Sequence, residues 1–430
     1  MFQVPRLGRN TAEYWKLPHL PKYSKAGVVR AVEPGETLRR ARTVMHQVGI
    51  TQVAQNPNME GTGIPSLTGI RPRGEEPGMS EYNGKGMTDE EAEVSVLMEA
   101  LEHHAGSFCD YETIVGAYRE LSRNYSCVPP TDVIVPPLSD FSEDLEIEWV
   151  CGYDLLNQRE TLVPLNAVIC PYSPRRGPHL FYASTNGLAA GNTLAEALCH
   201  GICEVLERDA QAIAAARAHL RPLVRSLAGL ETKKEGDPIP TQRIRTEGLP
   251  KDAAALMENL NAAGFQIYLR HLRSPAGIAA IDCILVEPGK DGGVNAYSGS
   301  SAYPDARVAL IHAMSEAIQS QTTCVQGSGE GLPQVRRKAS REIDDLLNVG
   351  EWVSFHELPS FEHDSIDEDV QLLLDNLPRC GLPQLVVFDM TRPEIGIPVV
   401  RVVIPKSETW HVFHLLAGRG IFGPRIAREL

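Results

Sequence analysis

The sequence predicts a mixed α/β fold, β-sheets with packed helices, and three observations carry that expectation. The chain has 430 residues, 43% hydrophobic against 22% charged, with a mean hydropathy of -0.18. That is enough apolar material for a sizeable core, and enough length for about two or three domains or one large unit with insertions. Short runs at 147–154, 160–166, 265–272 and 279–286 read as strands, whereas 88–104, 193–219 and 305–321 carry apolar residues at helical spacing.

Element by element, an amphipathic helix is expected over 37–46, where Leu38, Ala41, Val44 and Met45 share one stripe that ends before Gly49. Residues 58–87 are rich in Gly and Pro, with Arg71-Pro72-Arg73 ahead of a Gly84-Lys85-Gly86 turn. Thr88-Asp-Glu-Glu91 is a capping box opening the next helix. A strand at 179–184 precedes the second long helix. The stretch 221–250 mixes charges, Pro and Gly without periodicity and reads as an insertion or surface connection. Strands at 265–272, 279–286 and 294–299 lead into the third long helix, and a Gly-rich then basic loop is expected at 326–342. The β-branched runs 384–389 and 397–404 read as buried strands closing a sheet. The division expected is an N-terminal segment 1–57, a main domain 58–405 and a tail 406–430.

Charge and cysteine usage remove several functions. With 41 basic and 55 acidic residues the net charge is -14, which argues against a general nucleic-acid binder or a membrane-surface protein. No apolar run follows the early basic residues as a secretory signal requires, and no membrane span is expected. Nine scattered cysteines without a CxxC pair suit reduced thiols in a cytoplasm.

The chemistry lies in a recurrence. Ser95-Val-Leu-Met-Glu99-Ala-Leu-Glu102, His200-Gly-Ile-Cys-Glu204-Val-Leu-Glu207 and His312-Ala-Met-Ser-Glu316-Ala-Ile-Gln319 each place carboxylate or amide side chains at i and i+3 of a helix. Both then share one face, with apolar residues between them demanding burial. Each helix follows a small-residue turn: Gly84-Lys85-Gly86, Asn186-Gly187-Leu-Ala-Ala-Gly191, and Ser298-Gly-Ser-Ser-Ala302. Gly86 to Glu99 and Gly191 to Glu204 are both 13 residues apart. Glu196 falls nearly in line with Glu207 on the second helix. Buried carboxylates repel one another and lose solvation, and divalent cations resolve that cost. Oxygen-only ligands suit Mg²⁺ bridged to phosphates, and Gly-rich turns at helix N-termini suit the phosphates, so a nucleoside triphosphate held through metal ions is expected. Gly187 and Gly191 are expected to let backbone N–H groups approach such a ligand.

Plainer readings stand beside this one. Glu91 and Glu196 each lie three residues after a Thr, so the capping-box reading is equally open for Glu196. Taken singly, Glu99 and Glu316 read as solvated helix residues, and Arg71 and Arg73 as surface charges. His103 and His104 read as a satisfied pair, Cys199 and Cys203 as core, and Lys85 does not stand in a Walker sequence.

These separated motifs, with Asn192-Thr-Leu-Ala-Glu196-Ala and Glu207-Arg208-Asp209-Ala210, resemble the YcaO family over roughly residues 60–405. The resemblance implies a fold of that family's own, ATP and Mg²⁺ as cofactors, and ATP-dependent modification of peptide backbone amides. It implies Glu102, Glu204, Glu207 and Glu316 as metal ligands, and Glu99, Glu196, Asn192 and Arg208 at the nucleotide, with Gly187 and Gly191 shaping the turn. Two positions depart from the family: His103 stands where an Arg often follows Glu102, and His312 stands four residues before Glu316 where an Arg is common. Azoline-forming members often end in a proline-rich tail, whereas residues 422–430 contain one proline, and the short N-terminal segment leaves no room for a fused peptide-delivery region. The partners expected are therefore a precursor peptide or protein substrate and a separate TfuA-like sulfur-delivery or peptide-delivery protein, with a homodimer as the assembly. The leading expectation is O-phosphorylation of a backbone amide and thioamide formation with an external sulfur donor. An azoline-forming cyclodehydratase using substrate Cys, Ser or Thr, and a non-catalytic ATP-binding accessory protein, are the alternatives.

Overall fold

The computed structural model describes residues 11–23, 29–56, 64–72, 79–107, 111–133, 141–172, 180, 183–220, 225–226, 228–229, 241–289, 293–326 and 350–409. In chain order come α1 (Pro34–Val44), β1 (Gln52–Gln55), β2 (Ser66–Pro72), β3 (Met79–Lys85), α2 (Asp89–Gly106), β4 (Thr113–Ala117), the one-turn α3 (Tyr118–Leu121), β5 (Glu146–Asp154) and β6 (Arg159–Pro164). Then follow β7 (Leu188–Ala190), α4 (Leu194–Ala215), β8 (Gln242–Ile244), α5 (Lys251–Ala262), β9 (Gln266–His271), β10 (Ala279–Pro288), β11 (Val294–Tyr303) and α6 (Ala306–Gln326). The chain ends, among the described residues, with β12 (Trp352–Val353), α7 (Ile366–Asn376), β13 (Val386–Asp389) and β14 (Val399–Val403). The mixed α/β expectation holds.

Two compact units divide the chain. The first takes residues 1–21, 102–235 and 365–430, and the second 22–101 and 236–364, so each draws on separated stretches of the chain. Helix α2 passes from the second unit into the first at Leu101–Glu102.

The first unit is built on a six-stranded antiparallel sheet ordered β4-β5-β13-β14-β7, with β6 also paired to β5. Its central strands β13 and β14 are buried at every position, as in a sheet covered on both faces, and are apolar apart from Asp389 and Arg401. Helix α4 is buried over most of its surface, with β14 and β7 and also α7 packed against it. Gly201 permits the close approach, since a Cβ there would sit 2.9 Å from Val402 Cγ2. Helix α7 starts at a complete capping box, Ser365 with Glu368.

The second unit holds a three-stranded antiparallel sheet, β1-β2-β3, and a five-stranded one, β11-β10-β9-β8-β12, in which only β12 runs parallel to its neighbour β8. Helix α6 packs on β11 and β10, and α5 packs on β9.

Several expectations need correction. Strands β2 and β3 fall within the Gly- and Pro-rich stretch 58–87 and β1 within the N-terminal segment, and they lack apolar alternation because polar pairs tie them together. Thr68 Oγ1 donates to Asn83 Oδ1 at 2.6 Å across the β2–β3 register, and Asn56 Nδ2 donates to Ser66 Oγ at 2.9 Å. The supposed turn 186–191 contains β7, and the supposed turn 298–302 is the second half of β11. Small residues there serve close strand–helix packing. Strand β8 lies inside 221–250, and α5 begins just beyond it, burying Ala253, Leu256 and Leu260. The strand expected at 179–184 lies largely outside the described residues, and Leu180, Ala183 and Ser184 are not in a strand. The loop at 327–342 and the tail at 410–430 also lie outside them.

A histidine in the second unit links this packing to pH. His271 on β9 is buried, with Nδ1 3.2 Å from Gln242 Oε1, and burial, aided by Arg273, pushes its pKa down to about 4. The unfolded chain binds a proton near pH 6.5, so the neutral buried ring contributes its full stability above that pH and loses it as pH falls toward about 4. Urea unfolding should show about 2 kcal/mol less stability at pH 5 than at pH 7 from this group. His271→Gln should flatten that window; an unchanged pH slope would contradict it.

Candidate functional site

Three of the acids expected from the sequence, Glu102, Glu196 and Glu204, gather around β7 at the edge of the first unit's sheet. Within the ladder, Gly191 N–H donates to Pro398 O at 3.0 Å and Val402 N–H to Gly187 O at 2.7 Å. Three N–H groups outside that ladder are taken by glutamates from two helices. Gly187 N–H donates to Glu204 Oε2 at 3.0 Å, Ala190 N–H to Glu102 Oε2 at 2.9 Å, and Asn192 N–H to Glu196 Oε2 at 2.6 Å. Asn192 Nδ2 adds a second bond to Glu196 Oε2 at 2.9 Å. Charged acceptors on backbone donors are among the stronger hydrogen bonds, so β7 and its exit turn are held rigidly.

Local sequence explains these positions. Thr193 caps α4 by accepting from Glu196 N–H at 3.2 Å, and Glu196 reaches back to Asn192. Helix α2 starts the same way: Thr88 Oγ1 accepts from Glu91 N–H at 3.2 Å, and Glu91 reaches back to Met87 N–H at 2.8 Å. The capping reading of Glu196 is thus present in the structure. Gly187 has a φ of +81°, and a Cβ there would run into the Val402 carbonyl. At Gly191 a Cβ would lie 2.5 Å from Ala197 N and 2.7 Å from Glu196 Cβ. The close approach that requires both glycines is made by the chain's own backbone.

The remaining members follow. Glu207 is buried, and Arg208 Nε lies 3.6 Å from its Oε1, with Arg208 Nη2 4.0 Å from Glu204 Oε1. In the second unit, half-buried Glu316 accepts from Ser300 N–H at 3.4 Å and pairs with Lys85 Nζ at 3.7 Å, and Glu99 is half-buried on α2. Gln319 Nε2 donates to the Asn83 carbonyl. The first unit therefore brings together Glu102, Gly187, Gly191, Asn192, Glu196, Glu204, Glu207 and Arg208, whereas Glu99 and Glu316 belong to the second. His312 packs edge-on against Tyr303 at 5.1 Å between ring centroids, and Cys199 and Cys203 are buried in α4 as core thiols.

Sequence reasoning missed Arg401, a buried arginine in the middle of β14. A lone charge inside the apolar run 397–404 was its only signal. Asn186 Oδ1, next to Gly187, is likewise buried with no hydrogen-bond partner.

The donor set suits a hard divalent cation, because it consists of carboxylate oxygens in excess of the cations beside them. Among the described residues no three such groups converge into a ready-made metal cage. Mg²⁺ usually takes one or two protein carboxylates and completes its shell with substrate phosphates and water.

Comparison with known proteins gives the family. The family model described as YcaO cyclodehydratase, ATP- and Mg²⁺-binding, matches residues 83–408. An uncharacterized protein of Methanothermobacter thermautotrophicus is 30% identical over 407 residues, covering 91% of this chain and 98% of its own. An uncharacterized protein in the tfuA 3' region of Rhizobium leguminosarum bv. trifolii is 26% identical over 402 residues, covering 90% and 91%. The structure of YcaO from Methanopyrus kandleri bound with AMPPCP and Mg²⁺ superposes with a TM-score of 0.70 at 21% identity, over 93% of this chain and 97% of that one. The chain belongs to the YcaO family of ATP-dependent enzymes, and ATP and Mg²⁺ are its cofactors. Among the described residues no helix is long and apolar enough to cross a membrane.

Glu102→Gln removes a charge while its amide oxygen still accepts from Ala190 N–H, and Glu207→Gln removes the charge beside Arg208. Calorimetry should show Mg²⁺-dependent ATP binding weakened at least about tenfold in each, with melting little changed. Wild-type affinity in both variants would remove these residues from the site.

Proposed function

We propose that this protein activates a peptide backbone amide by O-phosphorylation and directs an external sulfur donor to it, forming a thioamide. The observation that carries the choice of sulfur is the relative in the tfuA 3' region, matched along nine-tenths of both chains. In the first unit Glu102, Glu204 and Glu207 act as metal ligands, and Asn192, Glu196 and Arg208 contact the nucleotide, with Gly187 and Gly191 fixing the turn that presents them. In the second, Glu316 is a metal ligand and Glu99 a nucleotide contact.

When bound, ATP supplies the phosphoryl group that makes the amide oxygen a leaving group, and Mg²⁺ offsets the phosphate charge. The chain's part is positioning. Glutamates tied to β7 leave little rotamer freedom to lose when the site loads, which favours preorganised charge stabilisation. Arg208, held between Glu204 and Glu207, is placed to answer negative charge next to those acids. An azoline product is the second reading, supported by the cyclodehydratase description of the family. Both routes share the activation step and differ only in the attacking group.

Mass separates them. Incubation with ATP, Mg²⁺, sulfide, a TfuA-like partner and the cognate peptide should raise the peptide's mass by the difference between a sulfur and an oxygen atom. Loss of one water without any need for sulfide would contradict the thioamide and identify an azoline former. An unmodified peptide without phosphate release would leave only an ATP-binding accessory role.

A further inference from the structure

Among the described residues Arg401 is the only buried arginine or lysine, 4% exposed, and no step above uses it. Its Nε and Nη2 both donate to the Ala167 carbonyl, at 3.2 and 3.0 Å, while Nη1 is buried with no hydrogen-bond partner. One carbonyl is thin compensation for a guanidinium with five donors, and so poorly satisfied a buried charge is costly unless other charges face it.

Burial disfavours its charged form, whereas Cys170 and, among carboxylates, Glu204 and Glu102 favour it. The sheet register gives the reason. Arg401 lies opposite Leu188 of β7, and the N–H groups that hold Glu204 and Glu102 belong to Gly187 and Ala190, on either side of that residue. The strand that carries the arginine is thus paired with the strand whose flanking N–H groups anchor both carboxylates.

We propose that Arg401 is the resident counter-cation of this acid cluster, a positioning residue that balances Glu102 and Glu204 while no Mg²⁺ is bound and keeps β7 in place until it arrives. The inference rests on the reading of those glutamates as Mg²⁺ ligands. Arginine and metal then answer the same negative charge. Removing the arginine destabilises the metal-free protein, and Mg²⁺ alone repairs the loss, because a cation that binds the folded state better stabilises it more.

Two variants separate charge from packing in the full chain. Arg401→Gln can still donate to Ala167 O but carries no charge; Arg401→Lys keeps the charge without the guanidinium fork. Melting is followed in EDTA and across a MgCl₂ titration without nucleotide, and the wild type is also followed with AMPPCP. Arg401→Gln should melt lower in EDTA, recover most of the loss with Mg²⁺, and reach half-recovery at an Mg²⁺ concentration at least tenfold below that needed to shift the wild type; Arg401→Lys should respond as the wild type does. Equal losses for Arg401→Gln with and without Mg²⁺, or no loss, would overturn the counter-cation and leave a packing residue. A wild type whose melting with AMPPCP ignores Mg²⁺ would instead overturn the metal-ligand reading, and the inference with it.

Discussion

A three-residue strand at the edge of a sheet leaves backbone N–H groups that the ladder does not use, and here glutamates accept them. Glu204, Glu102 and Glu196 take the N–H groups of Gly187, Ala190 and Asn192, so β7 is fastened both to β14 and to the helices that supply the acids. The arrangement resolves two costs together. An open strand edge loses its unpaired donors, and half-buried carboxylates gain donors in place of water. The acids are therefore held in place before any ligand arrives, and Arg208 supplies positive charge beside Glu204 and Glu207.

The same economy recurs in the second unit. Helix α6 follows β11 directly, and its Glu316 reaches back to Ser300 N–H on that strand, as Glu204 of α4 reaches back to Gly187 ahead of β7. The starts of α2 and α4 repeat as well, with Thr88, Glu91 and Met87 bonded as are Thr193, Glu196 and Asn192. A strand, a tight exit and a helix bearing glutamates form a unit that the chain uses more than once. Carboxylates at these positions have structural partners of their own, which makes them available as ligands without leaving bare buried charge.

Much of this was legible in the sequence, for definable reasons. The long helices α2 and α4 announced themselves by Thr caps and apolar spacing, β13 and β14 by β-branched runs, and the acidic set by its repetition at i and i+3. Strands β1 to β3 were not legible, because their order comes from Asn56, Thr68 and Asn83 bonded across the sheet rather than from alternating apolar residues. Strand β7 looked like a turn, since Leu188-Ala-Ala becomes a strand only through pairing with β14, more than two hundred residues away. Arg401 was missed because a single residue has no period, and the division into two units because each gathers distant stretches of chain.

The central claim is that glutamate carboxylates occupy the N–H groups of β7 and its exit turn in the protein without ligand. Native-state amide exchange of Gly187, Ala190 and Asn192, followed residue by residue in metal-free buffer, tests it most directly. The account predicts exchange as slow as that of the Gly191 and Val402 amides in the β7–β14 ladder, with Ala190 speeding up in Glu102→Ala. Exchange at Ala190 and Asn192 as fast as in an exposed turn, unchanged by that substitution, would contradict it.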